Sequence, residues 1–423
     1  MKQYWIVGAD GQAAGPIGAD DLERRVSAGD VSPRQLVCEV GSESWISIHE
    51  VFPRPGGPAD VPPPPPTPPS SPGTPGNAPP DRAGSTIGLN DLASSVTGRI
   101  AKATRTDKVE YAEVHSLFSE IFRRHDADEA EAHFGVGLAR TTPSLEQVKD
   151  HRPRPWFFGR ILLFLGVAFV ALLIAWENFE NINVLPGLII TGSFAAPLAM
   201  AVFFFECNQP QNISLYVVLK MFVWGGILGM VLSLILFEVQ WPTALFGASA
   251  AALIEEPGKL AAVILLAHRS RYPWTLNGLC FGAAVGAGFA AFESAGYALA
   301  IAIGVGTDAM TQNLVTRGLL SPFAHVVWTA IAAGALWRVS RGGPLSMESF
   351  LNWRFASPFL MVVTLHFVWN SSFFEGIPFF GKYIVLGAIA WIVVLGLLFG
   401  GFRELSKGEL SKGALSKGKV PAP

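Results

Sequence analysis

The feature that most constrains this chain is the uneven distribution of its apolar residues. Almost everything up to about residue 155 is polar or rich in proline, and almost everything after it is apolar. A helix that crosses the hydrocarbon core of a bilayer needs roughly 20 apolar residues. Windows of that kind occur about eight times, at 157–176, 184–205, 214–237, 243–267, 276–304, 318–338, 356–374 and 379–400. We therefore expect a mainly α, polytopic membrane bundle of about eight transmembrane helices.

The overall composition agrees with a membrane protein that carries a soluble portion. Of the 423 residues 50% are hydrophobic and only 15% are charged, which is too apolar for an ordinary soluble protein. The net charge of −2 gives no reason to expect a nucleic-acid partner. Cys38, Cys207 and Cys280 lie far apart, so we expect neither a disulfide framework nor a thiolate metal site.

The loops between the apolar windows alternate in basic content. The basic loops and flanks carry Arg152, Arg154, Arg160, Lys220, Arg269, Arg271, Arg338, Arg341, Arg354 and the lysines of the tail, whereas the opposite loops contain few lysines or arginines. Because positive residues favour the cytoplasmic side, we expect both termini to be cytoplasmic. The predicted location is the cell membrane (the inner or plasma membrane), with the lipid bilayer as a partner.

Residues 1–53 alternate short β-like runs with one short helix, on which Leu22 and Val26 share a face. The pattern consists of Trp5, Gly11-Gln12, Gly15-Pro16, Leu22, Gly29, Leu36, Gly41 and Trp45. It resembles the GYF-like α+β domains at the N-termini of many bacterial membrane proteins, although the GYF tripeptide itself is absent. The resemblance implies a cytoplasmic adaptor domain with a proline-rich or other protein partner.

Three further segments complete the predicted domain organisation. Residues 54–86 are a proline-rich linker, which we expect to be an extended polyproline-II spacer with flexible joints. Residues 87–155 form a cytoplasmic amphipathic segment, in which 109–125 is predicted to be a helix. The apolar face of that helix consists of Val114, Leu117, Phe118, Ile121 and Phe122. Residues 403–423, after the membrane domain 156–402, repeat a lysine-containing pentapeptide and are predicted to be disordered.

Ionisable and amide side chains occur inside four of the apolar windows. They are Glu255, Glu256, Lys259, Glu293, His325, His366 and Asn370. A charge at the centre of a membrane helix costs about 2.5–3.5 kcal/mol on insertion scales, so these residues require a compensating role. Lys259 lies one turn from Glu255, and we expect the two to pair. Because Glu255, Glu293 and His366 fall at similar depth, the pattern predicts one shared polar site.

A small-residue stripe supports close packing at that site. Gly278, Gly282 and Gly286 recur at four-residue intervals in the window that carries Glu293, which allows a neighbouring helix to approach closely. Two classes of function use such buried carboxylates and imidazoles. One is hydrolysis, with a general base and an oxyanion stabiliser. The other is transport of an ion or proton through a transporter or channel.

Four sequence motifs resemble those of a known family, and this resemblance distinguishes hydrolysis from transport. They are EExxK (Glu255 to Lys259), FxxxE (Phe289 to Glu293), the His325 segment, and HxxWN (His366 to Asn370). Their order and spacing, over roughly residues 240–375, resemble the PrsW family of intramembrane proteases, which is similar in turn to the type II CAAX prenyl endopeptidases. The resemblance implies hydrolysis of membrane-anchored substrates, among them regulatory proteins such as anti-sigma factors. Glu293 stands where the prenyl peptidases have a histidine, so their oxyanion arrangement does not transfer whole.

We therefore hypothesise a glutamate-type intramembrane endopeptidase. Glu255 or Glu256 removes a proton from water, with Glu255 favoured as the base. His366 and Asn370 stabilise the oxyanion, while His325 with Glu293 positions the water or protonates the leaving amine. A catalytically inactive, receptor-like protein is the further alternative, because the motifs alone do not establish turnover.

No cofactor is expected under this hypothesis, and zinc is the alternative. Glu293, His325 and His366 supply donor types that zinc accepts. However, the sequence contains no HExxH motif, and a carboxylate pair beside a lysine is not a typical zinc environment. Metal-independent hydrolysis is therefore preferred.

Overall fold

A computed structural model describes residues 3–7, 13–28, 36–41, 46–48, 89–138, 140–372 and 381–407. The chain divides into two compact units, Met1–Gly84 and Ser85–Pro423. The proline-rich linker 54–86 and the tail beyond residue 407 lie outside the described residues, so the expectations for both stay predictions.

The first unit contains a small antiparallel sheet and one helix. Its elements are β1 (Gln3–Val7), β2 (Ala13–Gly18), α1 (Ala19–Ala28), β3 (Leu36–Glu39) and β4 (Ile46–Ser47). The strand order is β2-β1-β3-β4, and Tyr4 on β1 is opposite Ile17 on one side and Glu39 on the other. Leu22 and Val26 of α1 are both buried in a core with Tyr4. The helical face predicted from these two residues is therefore confirmed.

The described elements of the second unit are all helical. They are α2 (Leu89–Thr104), α3 (Tyr111–Leu117), α4 (Ala127–Phe134), α5 (Leu145–Val148), α6 (Phe157–Phe179), α7 (Leu185–Glu206), α8 (Leu215–Lys220), α9 (Gly226–Phe237), α10 (Trp241–Phe246), α11 (Ala251–Leu266), α12 (Thr275–Gly304), α13 (Thr307–Leu320), α14 (His325–Ser340), α15 (Met347–Leu351), α16 (Trp353–Asn370) and α17 (Gly381–Ser406). Single tight turns precede α7, α11 and α14, at Ile182–Val184, Gly247–Ala250 and Ser321–Phe323. A π-helical turn, Met221–Gly225, joins α8 to α9.

Six stretches of the described residues are helical, long and apolar enough to cross a membrane. They are Phe157–Phe179, Ile182–Glu206, Leu215–Phe237, Thr275–Gly304, Thr307–Ser340 and Gly381–Ser406. The expectation of a mainly α, multi-pass membrane protein is therefore supported, and the count of eight spans stays a prediction.

The two remaining windows contain shorter or more polar helices. The window 243–267 was predicted as one span. The structure breaks it at Gly247, whose φ of +56° ends α10, and α11 then has only 16 residues. The window 356–374 overlaps α16, whose 18 residues include Arg354, His366 and Asn370. Sequence hydropathy did not register the break, because the residues on both sides of Gly247, such as Phe246 and Ala248, are apolar.

The small-residue stripe of α12 packs against α14, as the sequence predicts. A Cβ atom at Gly282 would clash with the backbone carbonyl oxygen of Thr329, and one at Gly286 would clash with that of His325. The two helices can approach this closely only because glycine has no side chain. The contact places the start of α14, at His325, beside the part of α12 that carries Glu293.

The helix predicted over 109–125 is shorter in the structure. α3 ends at Leu117, the following residues form turns, and the Phe122 side chain is 98% exposed. Leu117 is buried and Phe118 stacks on Phe203 of α7. The apolar face therefore packs on the helical bundle through its first turns, and the prediction of one continuous helix is wrong.

A buried carboxylate fixes the start of α6. Glu206, the last residue of α7, accepts hydrogen bonds from the backbone amides of Trp156 and Phe157 at Oε1 (2.8 and 2.9 Å) and of Phe158 at Oε2 (2.9 Å). The first amides of a helix have no partner within the helix, and a negative charge there is also favoured by the helix dipole. One side chain thus caps a helix from its neighbour.

The substitution Glu206→Gln is expected to lower stability by about 1–3 kcal/mol, because a buried amide cannot accept all three hydrogen bonds. The thermal unfolding midpoint in detergent measures this. Glu177→Gln, at the exposed opposite end of α6, is the matched control and should leave the midpoint unchanged. Equal midpoints for both variants would contradict the capping role.

Candidate active site

Four helices bring the predicted site residues together. α11 supplies Glu255 and Glu256, α12 supplies Glu293, α14 begins at His325, and α16 supplies His366 with Asn370 one turn later. The helix α11 continues through Pro257 without a break. All six residues belong to one network of contacts, so the structure places each of them where the sequence predicts a shared polar site. Their catalytic roles are a separate question.

Glu256 forms the buried centre of this network. Its Oε1 accepts hydrogen bonds from Lys259 Nζ at 2.6 Å and from His366 Nδ1 at 2.7 Å. Both Glu256 and Lys259 are almost fully buried. Lys259 lies farther from Glu255, with 4.0 Å between Nζ and Oε2. The partner predicted for Lys259 was Glu255, and the structure gives the closer contact to Glu256.

The two imidazoles have matching hydrogen-bond patterns. His366 Nε2 lies 3.1 Å from the Nδ2 of Asn370. The Nδ1 of His325 lies 2.9 Å from Lys259 Nζ. Its Nε2 lies 3.2 Å from Glu293 Oε2. A carboxylate accepts, whereas an ammonium or an amide nitrogen donates. The pattern therefore assigns the proton of His366 to Nδ1 and that of His325 to Nε2, with both rings neutral.

Glu255 differs from Glu256 in its surroundings. Its Oε2 is buried and, like the Oε2 of Glu256, has no direct hydrogen-bond partner among the described residues. Three nitrogen atoms lie at nearly equal distances from it: Lys259 Nζ at 4.0 Å, His325 Nδ1 at 4.0 Å and His366 Nε2 at 3.9 Å. Polar contacts at such separations are commonly bridged by a water molecule. Glu255 therefore faces polar groups of α11, α14 and α16, but its Oε2 forms no direct hydrogen bond with them.

A cavity of about 790 Å³ lies against these residues. Glu255, Glu293, His325, His366 and Asn370 line it, and Glu256 does not. The remaining wall is largely apolar and includes Met230, Leu234 and Phe237 of α9 and Phe289 and Phe292 of α12. An apolar pocket with a few convergent polar groups is the usual form of a binding site.

Sequence reasoning missed Arg317 on α13. Its Nη2 forms an ion pair with Glu293, its Nε donates to Ser294 Oγ at 2.8 Å, and its guanidinium lies 4.7 Å from the ring centre of Tyr297. Arg317 stands one residue before the predicted window 318–338 and belongs to none of the motifs. Its position at the edge of an apolar window was the only feature of the sequence that could have pointed to it.

Three of the residues could hold a metal ion. One donor atom each from Glu255, His325 and His366 lies within 4.8 Å of the others, and these are donor types that zinc accepts. The nitrogen lone pairs that face the group are already used, however, since Lys259 donates to His325 Nδ1 and Asn370 donates to His366 Nε2. A divalent cation would also lie close to the Lys259 ammonium. The donor types therefore suit a metal, but their arrangement does not.

Six helices that are long and apolar enough to cross a membrane, together with a largely buried group of glutamates and histidines, indicate a multi-pass membrane protein with a polar site inside its helical bundle. Residues 214–398 match the family model described as PrsW family intramembrane metalloprotease. The match includes all four motifs and supports a membrane peptidase. It does not reach residues 1–53, so the GYF-like resemblance stays a prediction. Searches of curated proteins and of solved structures gave no match.

Proposed function

We propose that the protein is an intramembrane endopeptidase that hydrolyses peptide bonds of membrane-anchored proteins, with Glu255 as the general base. The observation that carries this proposal is the difference between the two adjacent glutamates. Oε1 of Glu256 is held by Lys259 and His366 and Glu256 does not reach the cavity, whereas Glu255 lines the cavity. Oε2 has no direct hydrogen-bond partner among the described residues in either glutamate. A general base needs access to water, and of the two adjacent glutamates only Glu255 lines the cavity that can hold water.

The proposed reaction follows from the contacts. Glu255 removes a proton from a water molecule, the hydroxide attacks the carbonyl carbon, and Glu255 returns the proton to the leaving amine. The Asn370 amide stabilises the oxyanion through its second N–H, and His366 orients that amide because its Nε2 accepts the first N–H. Glu256 fixes the His366 ring through Nδ1, as the buried carboxylate of a catalytic triad fixes its histidine. His325 with Glu293 positions the water together with Lys259.

We propose that this reaction does not use a metal ion. The support is the arrangement of Lys259 and Asn370, which already donate to the imidazole nitrogens that would bind a cation. A cation next to a buried ammonium is repelled strongly, since the interior screens charges poorly. The family description names a metalloprotease, so this part of the proposal departs from it.

The proposed topology has eight spans, with both termini in the cytoplasm. In addition to the six longer helical stretches, α11 and α16 are proposed to cross the membrane. Phe237 and Lys382, which line the cavity, then lie at helix ends away from the cytoplasm. Cleavage is therefore proposed to occur in that half of the bilayer. Substrates are proposed to be membrane-anchored proteins, with regulatory proteins such as anti-sigma factors as the class that the family resemblance suggests.

His366→Ala is expected to reduce cleavage by about 10²–10³-fold, because it releases the Asn370 amide and the loss of one oxyanion donor usually costs this much. Candidate substrates are membrane proteins captured from native membranes by a Glu255→Gln variant, and cleavage is measured after their co-expression. Thr364→Val on the same helix is the control, because Thr364 is exposed and bonds only the carbonyl of Leu360. Capture of partners that the unsubstituted protein never cleaves would indicate an inactive receptor and overturn the proposal.

A further inference from the structure

Arg317 forms an ion pair with Glu293 of the FxxxE motif, but Arg317 itself lies outside the four motifs and has no role in the reaction proposed above. Arg317 is on α13, a helix that contributes none of the predicted site residues. Each of its three contacts, to Glu293, Ser294 and Tyr297, is to α12. The side chain also lines the catalytic cavity and remains 27% exposed. Ionisable residues near a membrane span usually pair with one another and face a polar cavity, as Arg317 does here, and such residues commonly serve the function.

We propose that Arg317 is a positioning residue of the active site, which acts through Glu293 to orient the His325 ring. The inference rests on the proposed function and extends it by one residue. Glu293 is the link, because its Oε2 both pairs with Arg317 and accepts from His325 Nε2. No contact between Arg317 and the reacting atoms is required.

The reason is the geometry around Glu293. Its Oε2 is contacted by the Arg317 guanidinium and by His325 Nε2 at once, so Arg317 fixes the carboxylate that accepts from His325. Without Arg317, the Glu293 side chain loses this contact and is free to rotate away from Nε2. The His325 ring would then lose the alignment that places its Nδ1 2.9 Å from Lys259 Nζ.

The ion pairs also distinguish Glu255 from the other two carboxylates of the group. Glu256 is paired with Lys259, and Glu293 is paired with Arg317. Glu255 is the third carboxylate, and its nearest cation, Lys259, lies closer to Glu256. Arg317 therefore holds Glu293 as the acceptor for His325 and leaves Glu255 as the carboxylate of the group without a close cation of its own.

The test is a double-mutant cycle with Arg317→Gln, Glu293→Gln and the combined variant, measured as kcat and KM for a captured substrate. We expect Arg317→Gln to lower kcat by about 10- to 100-fold, the cost usually seen when a partner that orients a functional histidine is removed. KM should change little. The combined variant should be no worse than Glu293→Gln alone, because residues that act through one another are not additive. Arg317→Lys, which keeps the charge, should recover part of the loss.

Thr311→Val on α13 is the matched control, since Thr311 bonds only the carbonyl of Thr307 on its own helix. Losses that add in the combined variant, or a rise in KM at unchanged kcat, would overturn the proposal in favour of an independent or substrate-binding role. Solid-state ¹⁵N NMR of histidine-labelled protein in lipid gives a readout independent of cleavage. The His325 signal should show a neutral ring with the proton on Nε2, and Arg317→Gln should change it. An unchanged signal would overturn the proposal even if the protein proved not to be a protease.

Discussion

Glu255→Gln is expected to reduce cleavage by about 10²–10⁴-fold, the contribution typical of a general base, without a large loss of stability. Its Oε2 accepts no direct hydrogen bond from the described residues, so an amide of the same shape removes few native contacts. The substitution removes the basicity on which proton transfer from water depends. Cleavage of a captured substrate and the thermal midpoint, measured on the same preparation, separate the two effects.

The neighbouring substitution Glu256→Gln provides the comparison. Glu256 accepts hydrogen bonds from both Lys259 and His366 in a fully buried position. Removing one partner of a buried ion pair usually costs about 3–5 kcal/mol, so this variant should lose activity together with stability. Glu348→Gln, an exposed carboxylate outside the site, serves as the control. If Glu256→Gln were stable but inactive and Glu255→Gln cleaved normally, the base would be Glu256.

Sequence reasoning located the site well because motif spacing is a local property. The four-residue interval between His366 and Asn370 places both side chains on one face of a helix, and the structure confirms their contact at 3.1 Å. Glycines at four-residue intervals in α12 likewise predicted a close helix contact, which the structure confirms with α14.

The partners across helices could not be predicted in the same way. The sequence spacing alone allows either glutamate of the adjacent pair to contact Lys259. The structure favours Glu256 because His366, from α16, completes its hydrogen bonds. Arg317 was missed for a related reason. Its contacts depend on how α13 packs against α12, which no local pattern encodes.

The predicted helix boundaries were wrong in two places. In one, the hydropathy is uniform across the break, and in the other, only part of the predicted apolar face packs on the protein. The window 243–267 contains a break at Gly247 that an apolar average does not register. In the segment 109–125, the helix ends at Leu117 although the predicted face extends to Phe122. Tertiary contacts of Leu117 and Phe118 stabilise the first turns, and nothing comparable holds the exposed Phe122.

Lys259→Met is expected to abolish cleavage and to destabilise the protein by about 3–5 kcal/mol, because it leaves the buried Glu256 carboxylate without a cation. The side chain of Lys259 is fully buried and contacts Glu256, His325 and the face of Phe289, the last at 4.7 Å. Methionine fills a similar volume, so the effect is one of charge. Thermal midpoint and cleavage are the two measurements.

The double variant Glu256→Gln/Lys259→Met separates folding from chemistry. Replacing both members of a buried ion pair by neutral residues is often neutral or stabilising, so this variant should recover much of the thermal midpoint. It should remain inactive, since His325 loses the donor at Nδ1 and His366 loses its carboxylate. Recovery of cleavage together with stability would show that Lys259 and Glu256 serve only the fold.

Lys259→Met also distinguishes the two chemistries, because the ammonium and a metal ion compete for the same donors. If zinc performed the reaction, removing the positive charge beside His325 Nδ1 would tighten zinc binding, and added zinc would restore cleavage to the variant. We expect added zinc to have no effect on it and a chelator to have none on the unsubstituted protein. The metal content of the purified protein should then be well below one ion per chain. Restored activity with one zinc per chain would mean that Lys259 moves aside in the working enzyme, and that Glu255, His325 and His366 bind the metal rather than the water alone.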